Sequence, residues 1–137
     1  MADMIRKVDY YYTTTPDKPG EGARVLGVFR DAGLNLLAFS GFPRARRSQL
    51  DFVPADGAAF VAAARAAKIK LSPKKTAFLI EGDDRIGAVA DVQGKLAAAK
   101  INVTTMDAVA TSGGRWGAIL WVKPRDVNKA ATVLGAM

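Results

Sequence analysis

The chain has 137 residues, half of them hydrophobic and 24% charged, with a formal charge of +7. A chain of that length buries roughly two thirds of its unfolded surface, and the composition is that of an ordinary globular protein. Cysteine and histidine are both absent, which excludes disulfides, a thiolate nucleophile, a Cys/His zinc site and a histidine general base.

In chain order, Met1-Ala2-Asp3-Met4-Ile5-Arg6-Lys7 lacks the apolar stretch of a signal peptide, and no later run is long and apolar enough to span a bilayer. The expectation is a cytoplasmic protein with no membrane partner. Lys7 to Thr14, rich in β-branched and aromatic residues, predicts a first strand, which Pro16 and Pro19-Gly20 break with turn chemistry. From Glu21 to Ala32, the positions Gly22, Val25, Phe29 and Ala32 make a one-sided helix, and Gly33 stands at its left-handed C-terminus. Leu34 to Phe42 and Ser48 to Val53 read as strands joined by Pro43-Arg44-Ala45-Arg46-Arg47. An alanine-rich helix follows from Ala58 to Lys68, then Ile69-Lys70-Leu71 as a possible last strand, with Ser72-Pro73 as a boundary. The second half predicts a strand at Lys75 to Glu81, a helix at Arg85 to Lys100, strands at Ile101 to Ala110 and Arg115 to Val122, and a helix at Arg125 to Ala136. A basic surface that aids solubility is the plain reading of the scattered lysines and arginines.

The two halves repeat one pattern. A shift of 67 carries Asp17 to Asp84, Gly20 to Gly87, Val25 to Val92, Phe29 to Leu96 and Asn35 to Asn102. Farther on, the shift reads as 69, with Leu50-Asp51-Phe52-Val53 opposite Ile119-Leu120-Trp121-Val122 and two extra residues placed around Thr111-Ser112-Gly113-Gly114. Each copy is strand, helix, strand, strand, helix. The sequence therefore divides into modules at 1–73 and 74–137, the second without a last strand. The fold class is α+β: two ferredoxin-like βαββα(β) modules with an antiparallel sheet covered by helices on one face.

Asp17-Lys18-Pro19-Gly20 after a strand, a helix starting at the glycine, then Gly33-Leu34-Asn35-Leu36 opening the next strand, resembles the ACT domain, a regulatory module that binds amino acids. The second copy keeps Asp84, Gly87, Asn102 and Val103, with Ile86 in place of the proline and Lys100 in place of the glycine. The resemblance implies a ligand held at an interface between modules by the first loop and the start of the second strand. On that basis the candidate ligand-binding residues are Asp17, Lys18, Gly20, Asn35 and Leu36 in the first copy, and Asp84, Arg85, Ile86, Gly87, Asn102 and Val103 in the second. Helix N-terminal amides beside a glycine suit an α-carboxylate, and an aspartate suits an α-ammonium. Each residue also has a structural reading: the aspartates as turn or cap residues, the glycines as backbone necessities, the asparagines as partners of backbone groups. Glu21 directly after Gly20 opposes an anion at the first loop, which favours the second.

The expectation is a non-catalytic regulatory protein, without cofactor or metal, that binds a free amino acid or similar metabolite, forms a homodimer and contacts a protein partner. One alternative is a ligand-free dimerisation module using the sheet edge that a missing last strand would leave open. Another is an RNA-binding ferredoxin-like protein. No nucleic-acid partner is expected, because the aromatic strand motif of RNA-recognition modules is missing.

Overall fold

The computed structural model describes residues 3–137, which fold as two compact units. One comprises residues 9–75. The other joins residues 3–8 to residues 76–137.

In the unit of residues 9–75, strand β1 (Met4–Pro16) pairs antiparallel with β3 (Arg47–Pro54), Tyr11 opposite Phe52, and β3 pairs antiparallel with β2 (Leu36–Arg44). Helices α1 (Glu21–Asp31) and α2 (Gly57–Ala66) cover one face. Their buried residues are those that helical spacing demands, Val25 and Phe29 on α1, Phe60 and Ala64 on α2. Phe29 stacks on Phe60 with ring centroids 4.1 Å apart, and Phe52 meets both at 5.4 and 5.3 Å. Asp56 caps α2 by accepting a bond from the Ala59 amide at 3.1 Å. Ile69 to Leu71 does not form a strand, but the segment still satisfies β1. The Ser72 amide donates to the Tyr12 carbonyl at 2.8 Å, Ser72 Oγ accepts from the Tyr12 amide, and Thr13 Oγ1 donates to the Lys70 carbonyl at 2.7 Å.

In the other unit, β4 (Lys75–Asp83) pairs antiparallel with β6 (Arg115–Val122), and β6 with β5 (Val103–Thr111). Helices α3 (Ala88–Ala98) and α4 (Val127–Leu134) cover one face, with a 3-10 turn at Pro124–Asp126 leading into α4. Phe78, Ile80, Leu96, Leu120 and Val122 form its core. The α3 stripe runs Ala88, Val92, Leu96, leaving Val89 at the rim rather than inside.

The strand order β1-β4-β6-β5 corrects the sequence reading of this unit. Ile5 of β1 is buried in its core. The Met137 amide donates to the Ile5 carbonyl and the Lys7 amide to the Met137 carbonyl, both at 3.1 Å. Residues 3–8 thus stand where the second module lacks a last strand, and the division falls at residues 8 and 75 rather than at 73. The edge that the dimerisation alternative relied on is occupied. Backbone donors and acceptors on a strand edge must be paired, and any stretch of chain can pair them, so local sequence does not reveal which one does.

The repeat holds at the level of single hydrogen bonds. The Leu34 amide donates to the Phe29 carbonyl at 3.0 Å, and the Ile101 amide to the Leu96 carbonyl at 2.9 Å. Gly33 and its counterpart Lys100 both lie in the left-handed region, at φ +74° and +60°. The later shift is 68 rather than 69, since Tyr11 faces Phe52 while Phe78 faces Leu120. One residue explains it: the β2–β3 turn is Ala45-Arg46, whereas the β5–β6 turn is Ser112-Gly113-Gly114. A slip of one residue along a strand exchanges its two faces, so the shift of 69 placed Ile119 and Trp121 on the helix side where Leu120 and Val122 belong.

Lys100 occupies a conformation that costs a residue with a Cβ about 1 kcal/mol. Lys100→Gly should therefore stabilise the protein by about 0.5–1 kcal/mol, read as a raised urea midpoint at unchanged slope.

Candidate functional site

Both strand-to-helix loops end on a glycine with positive φ, Gly20 at +90° and Gly87 at +83°. Neither helix has a side-chain cap, so the first-turn amides of α1 and α3 are left to the loops themselves. The two loops then differ in what surrounds those amides.

At the first loop, Asp17 does not cap α1. Its Oδ1 accepts a bond from Ser48 Oγ at 3.0 Å, tying the loop to β3. Lys18 is exposed, and its amide closes a turn onto the Pro16 carbonyl. Glu21 stands in the first turn of α1 and is gripped by Arg24 at 3.1 Å, which lowers its pKa through the guanidinium hydrogen bond. A carboxylate supplied by the chain already sits at this helix terminus.

At the second loop, the Asp84 amide donates to the Gly114 carbonyl at 2.8 Å, fixing the loop to the β5–β6 turn. Arg85 grips Asp3 with two parallel bonds of 2.9 and 3.0 Å, and reaches Asp91 at 3.2 Å. Asp3 is only 8% exposed and accepts a further bond from Trp116 Nε1 at 3.1 Å. The Arg85 bond, aided by Trp116, holds the Asp3 carboxyl below its ordinary range in spite of burial, and Arg85 is held protonated by the same partners. Gly82 makes the approach possible, because a Cβ there would collide with Asp3 Oδ1. Arg85, named in the sequence as a ligand contact, thus has three acceptors of its own: Asp3, Asp91 and the Asp83 carbonyl.

With Arg85 fixed, a groove of about 270 Å³ opens between the N-terminal turn of α3 and β5. Asp84, Gly87, Ala88 and Ala90 form one side, Ala108 and Ala110 the other. Its floor is narrow in chemistry and open in space because the residues are small. Val109, 63% exposed, and Val89, 38% exposed, give it an apolar rim, whereas Ile86 is fully exposed and does not line it. The Asp84 carboxylate is exposed and has no hydrogen-bond partner among the described residues. The groove thus combines helix amides, one carboxylate and an apolar lip.

The asparagines fall elsewhere. Asn102 and Val103 follow α3, whose 11 residues separate Asn102 from Gly87 by about 16 Å. Asn35 and Leu36 stand in the same relation to Gly20 across α1; the Asn35 carbonyl accepts from the Ala55 amide at 3.0 Å, and Leu36 packs against the aromatic core. Within one unit, then, the loop and the asparagine are not brought together. Sequence reasoning missed Asp3, Trp116 and the alanines of β5. The one available signal was Trp116, whose buried N–H requires an acceptor.

No protein-family model matches the sequence, and no curated protein matches it. Solved structures do match the fold. Protein BT0572 from Bacteroides thetaiotaomicron gives a TM-score of 0.79 at 20% identity, over 97% of this chain and 88% of that one. The ligand-free regulatory subunit of aspartate kinase from Thermus thermophilus gives 0.66 at 18% identity, over 98% and 96%. The aspartokinase alpha and beta subunits give 0.63 at 18% identity, over 98% and 95%. The likeness is one of fold, an α+β architecture of ACT-like modules.

Asp3→Asn should cost about 1–2 kcal/mol at pH 7, since it halves the bidentate grip on Arg85. The Asp3 pKa is depressed in the folded state, so its contribution is present above the unfolded carboxylate value near 3.9 and is lost as pH falls through the folded one. Chemical denaturation from pH 7 down to pH 2 should show the gap between native protein and variant closing only at the acid end.

Proposed function

We propose that this protein is a non-catalytic regulator that binds a free amino acid, or a metabolite built like one, in the groove beside Gly87. The observation that carries the reading is the convergence of α3 N-terminal amides and the Asp84 carboxylate on a groove walled by small residues. An α-carboxylate takes the amides and the positive end of the helix dipole, and an α-ammonium takes Asp84. The side chain then lies along Ala108, Val109 and Val89, which favours an apolar one. Asp91, the acid of the α3 first turn, is held by Arg85 and opposes the ligand less than a free carboxylate would. The fold shared with regulatory subunits of aspartate kinase supports a regulatory role without chemistry of its own. The first loop, with Glu21 already at its helix terminus, is the weaker site.

Calorimetric titration with each of the common amino acids should give heat for a small subset with apolar side chains. Ala108→Leu fills the groove from an exposed strand position; it should abolish that heat while the free protein melts within about a degree of the native one, the range expected of a surface change. Absence of heat and of thermal shift with every amino acid would refute the reading.

A homodimeric assembly in the cytoplasm accompanies this proposal and rests on a separate observation. β2 bears Leu37, Phe39 and Phe42, each 37 to 41% exposed, an unusual density of large apolar groups for one strand. Phe39→Lys should convert a dimer to a monomer in light scattering, and a native protein that scatters as a monomer at all concentrations would remove the dimer.

A further inference from the structure

We infer that the unit of residues 9–75 carries a second site, for the phosphate group of a small metabolite, at Thr15, Arg24, Arg47, Lys68 and Lys70. These residues, with Thr13 and Val25, line a hollow of about 320 Å³ at the end of the aromatic core. The helix-facing row of β1 runs Tyr11, Thr13, Thr15, so it turns from apolar to hydroxyl as it leaves that core. Thr13 Oγ1 is committed to the Lys70 carbonyl at 2.7 Å. Thr15 is 3% exposed, and its Oγ1 has no hydrogen-bond partner among the described residues. A buried hydroxyl without a partner costs stability, and here it lines a hollow ringed by four cations.

The cations are available. Lys68 and Lys70 are exposed and form no ion pair among the described residues. Among the described residues the Arg47 side chain makes two long bonds of 3.3 Å, both to Thr14. Arg24 is shared with Glu21, the nearest acid, and the neighbouring Asp17 is held by Ser48. A hydroxyl donor among guanidinium and ammonium groups is the donor set that a phosphate group accepts from.

The internal repeat supplies an independent argument. Tyr11, Thr13 and Thr15 correspond, at the shift of 67, to Phe78, Ile80 and Gly82. Against Gly82 lies the Asp3 carboxylate, held by Arg85 and Trp116 Nε1. The second unit thus places an anion of its own at the position where the first has Thr15 and a ring of cations. Arg24, moreover, corresponds to Asp91, and Arg47 corresponds at the later shift of 68 to Arg115, which is paired with Asp83 at 2.8 Å, so the second copy lacks one cation of the ring and engages another. An external anion in the first unit takes the place that Asp3 fills in the second.

Inorganic phosphate, pyrophosphate and glucose 6-phosphate are titrated calorimetrically into the full chain, with succinate and sodium chloride of equal ionic strength as controls. Saturable binding of one phosphate compound per chain is expected, with succinate and chloride giving none. Binding of inorganic phosphate and pyrophosphate as tight as that of glucose 6-phosphate identifies a phosphate-only site; tighter binding of the sugar phosphate identifies a metabolite site. Thr15→Val keeps the shape of the side chain and removes the unpartnered hydroxyl, so the free protein should melt no lower than native. Its phosphate affinity should fall at least about tenfold, as befits a lost hydrogen bond to a charged group. Lys70→Glu, on the exposed surface, should weaken binding at least as much. No saturable heat with any of the phosphate compounds, or affinities unchanged in both variants, would overturn the inference.

Discussion

A strand whose edge is left unpaired is unstable or sticky, and β4 meets that constraint by taking the start of the chain as its neighbour. Much of the second unit follows from this. Ile5 becomes part of a core otherwise built from residues after Thr76. Asp3, which precedes the strand, is delivered onto Gly82, Trp116 and Arg85. Once Arg85 is held there, the loop to α3 has a fixed course and the groove beside Gly87 has a fixed wall. Pairing of a backbone edge thereby sets the position of a side chain more than 80 residues away in the sequence, since Asp3 and Arg85 are separated by 82 positions.

The two loops share a backbone and diverge in charge. Gly20 and Gly87 hold the same left-handed conformation and open the same kind of helix. In the first unit the chain answers the helix amides with Glu21 and gathers cations around Thr15 instead. In the second, Ala88 stands where the first copy has Glu21, the first-turn acid Asp91 is held by Arg85, and another acid, Asp3, sits among Arg85 and Trp116. The anionic and open positions have changed places between the copies. Two modules that share a fold in this way can serve different ligands without any change in their strands and helices, because the difference lies in a few side chains at loop ends and helix termini.

Much of the fold was legible in the sequence. The stripe of Val25 and Phe29, the turn chemistry of Pro19-Gly20 and the left-handed Gly33 are consequences of helical spacing and of φ, and they appear in the structure within a residue or two. The candidate site was legible in part. Asp84, Arg85 and Gly87 border one groove, but Ile86 and Asn102 do not, Asn102 because an intact helix separates it from Gly87. Within one module a helix of this length holds the loop and the asparagine apart by its own geometry, and the family resemblance places them together only at an interface between modules. The misread shift has a similar origin. Both faces of β6 are apolar, with Ile119 and Trp121 on one and Leu120 and Val122 on the other, all buried. Hydrophobicity therefore could not distinguish the registers, and only pairing with β4 does so.

The sequence by itself determined the repeat, the order and type of the elements, the two glycine turns and the absence of histidine and cysteine chemistry. These are local or compositional properties, set by backbone propensity and by which side chains exist. Tertiary structure alone decided that residues 3–8 belong with the second half, that Arg85 is engaged by Asp3, and that Thr15 of β1 faces a ring of cations gathered from α1, β3 and the segment after α2. The physical reason is the same in each case. Strand pairing and ion pairing are satisfied by any chain segment of suitable shape and charge, and which segment arrives is a property of the whole fold.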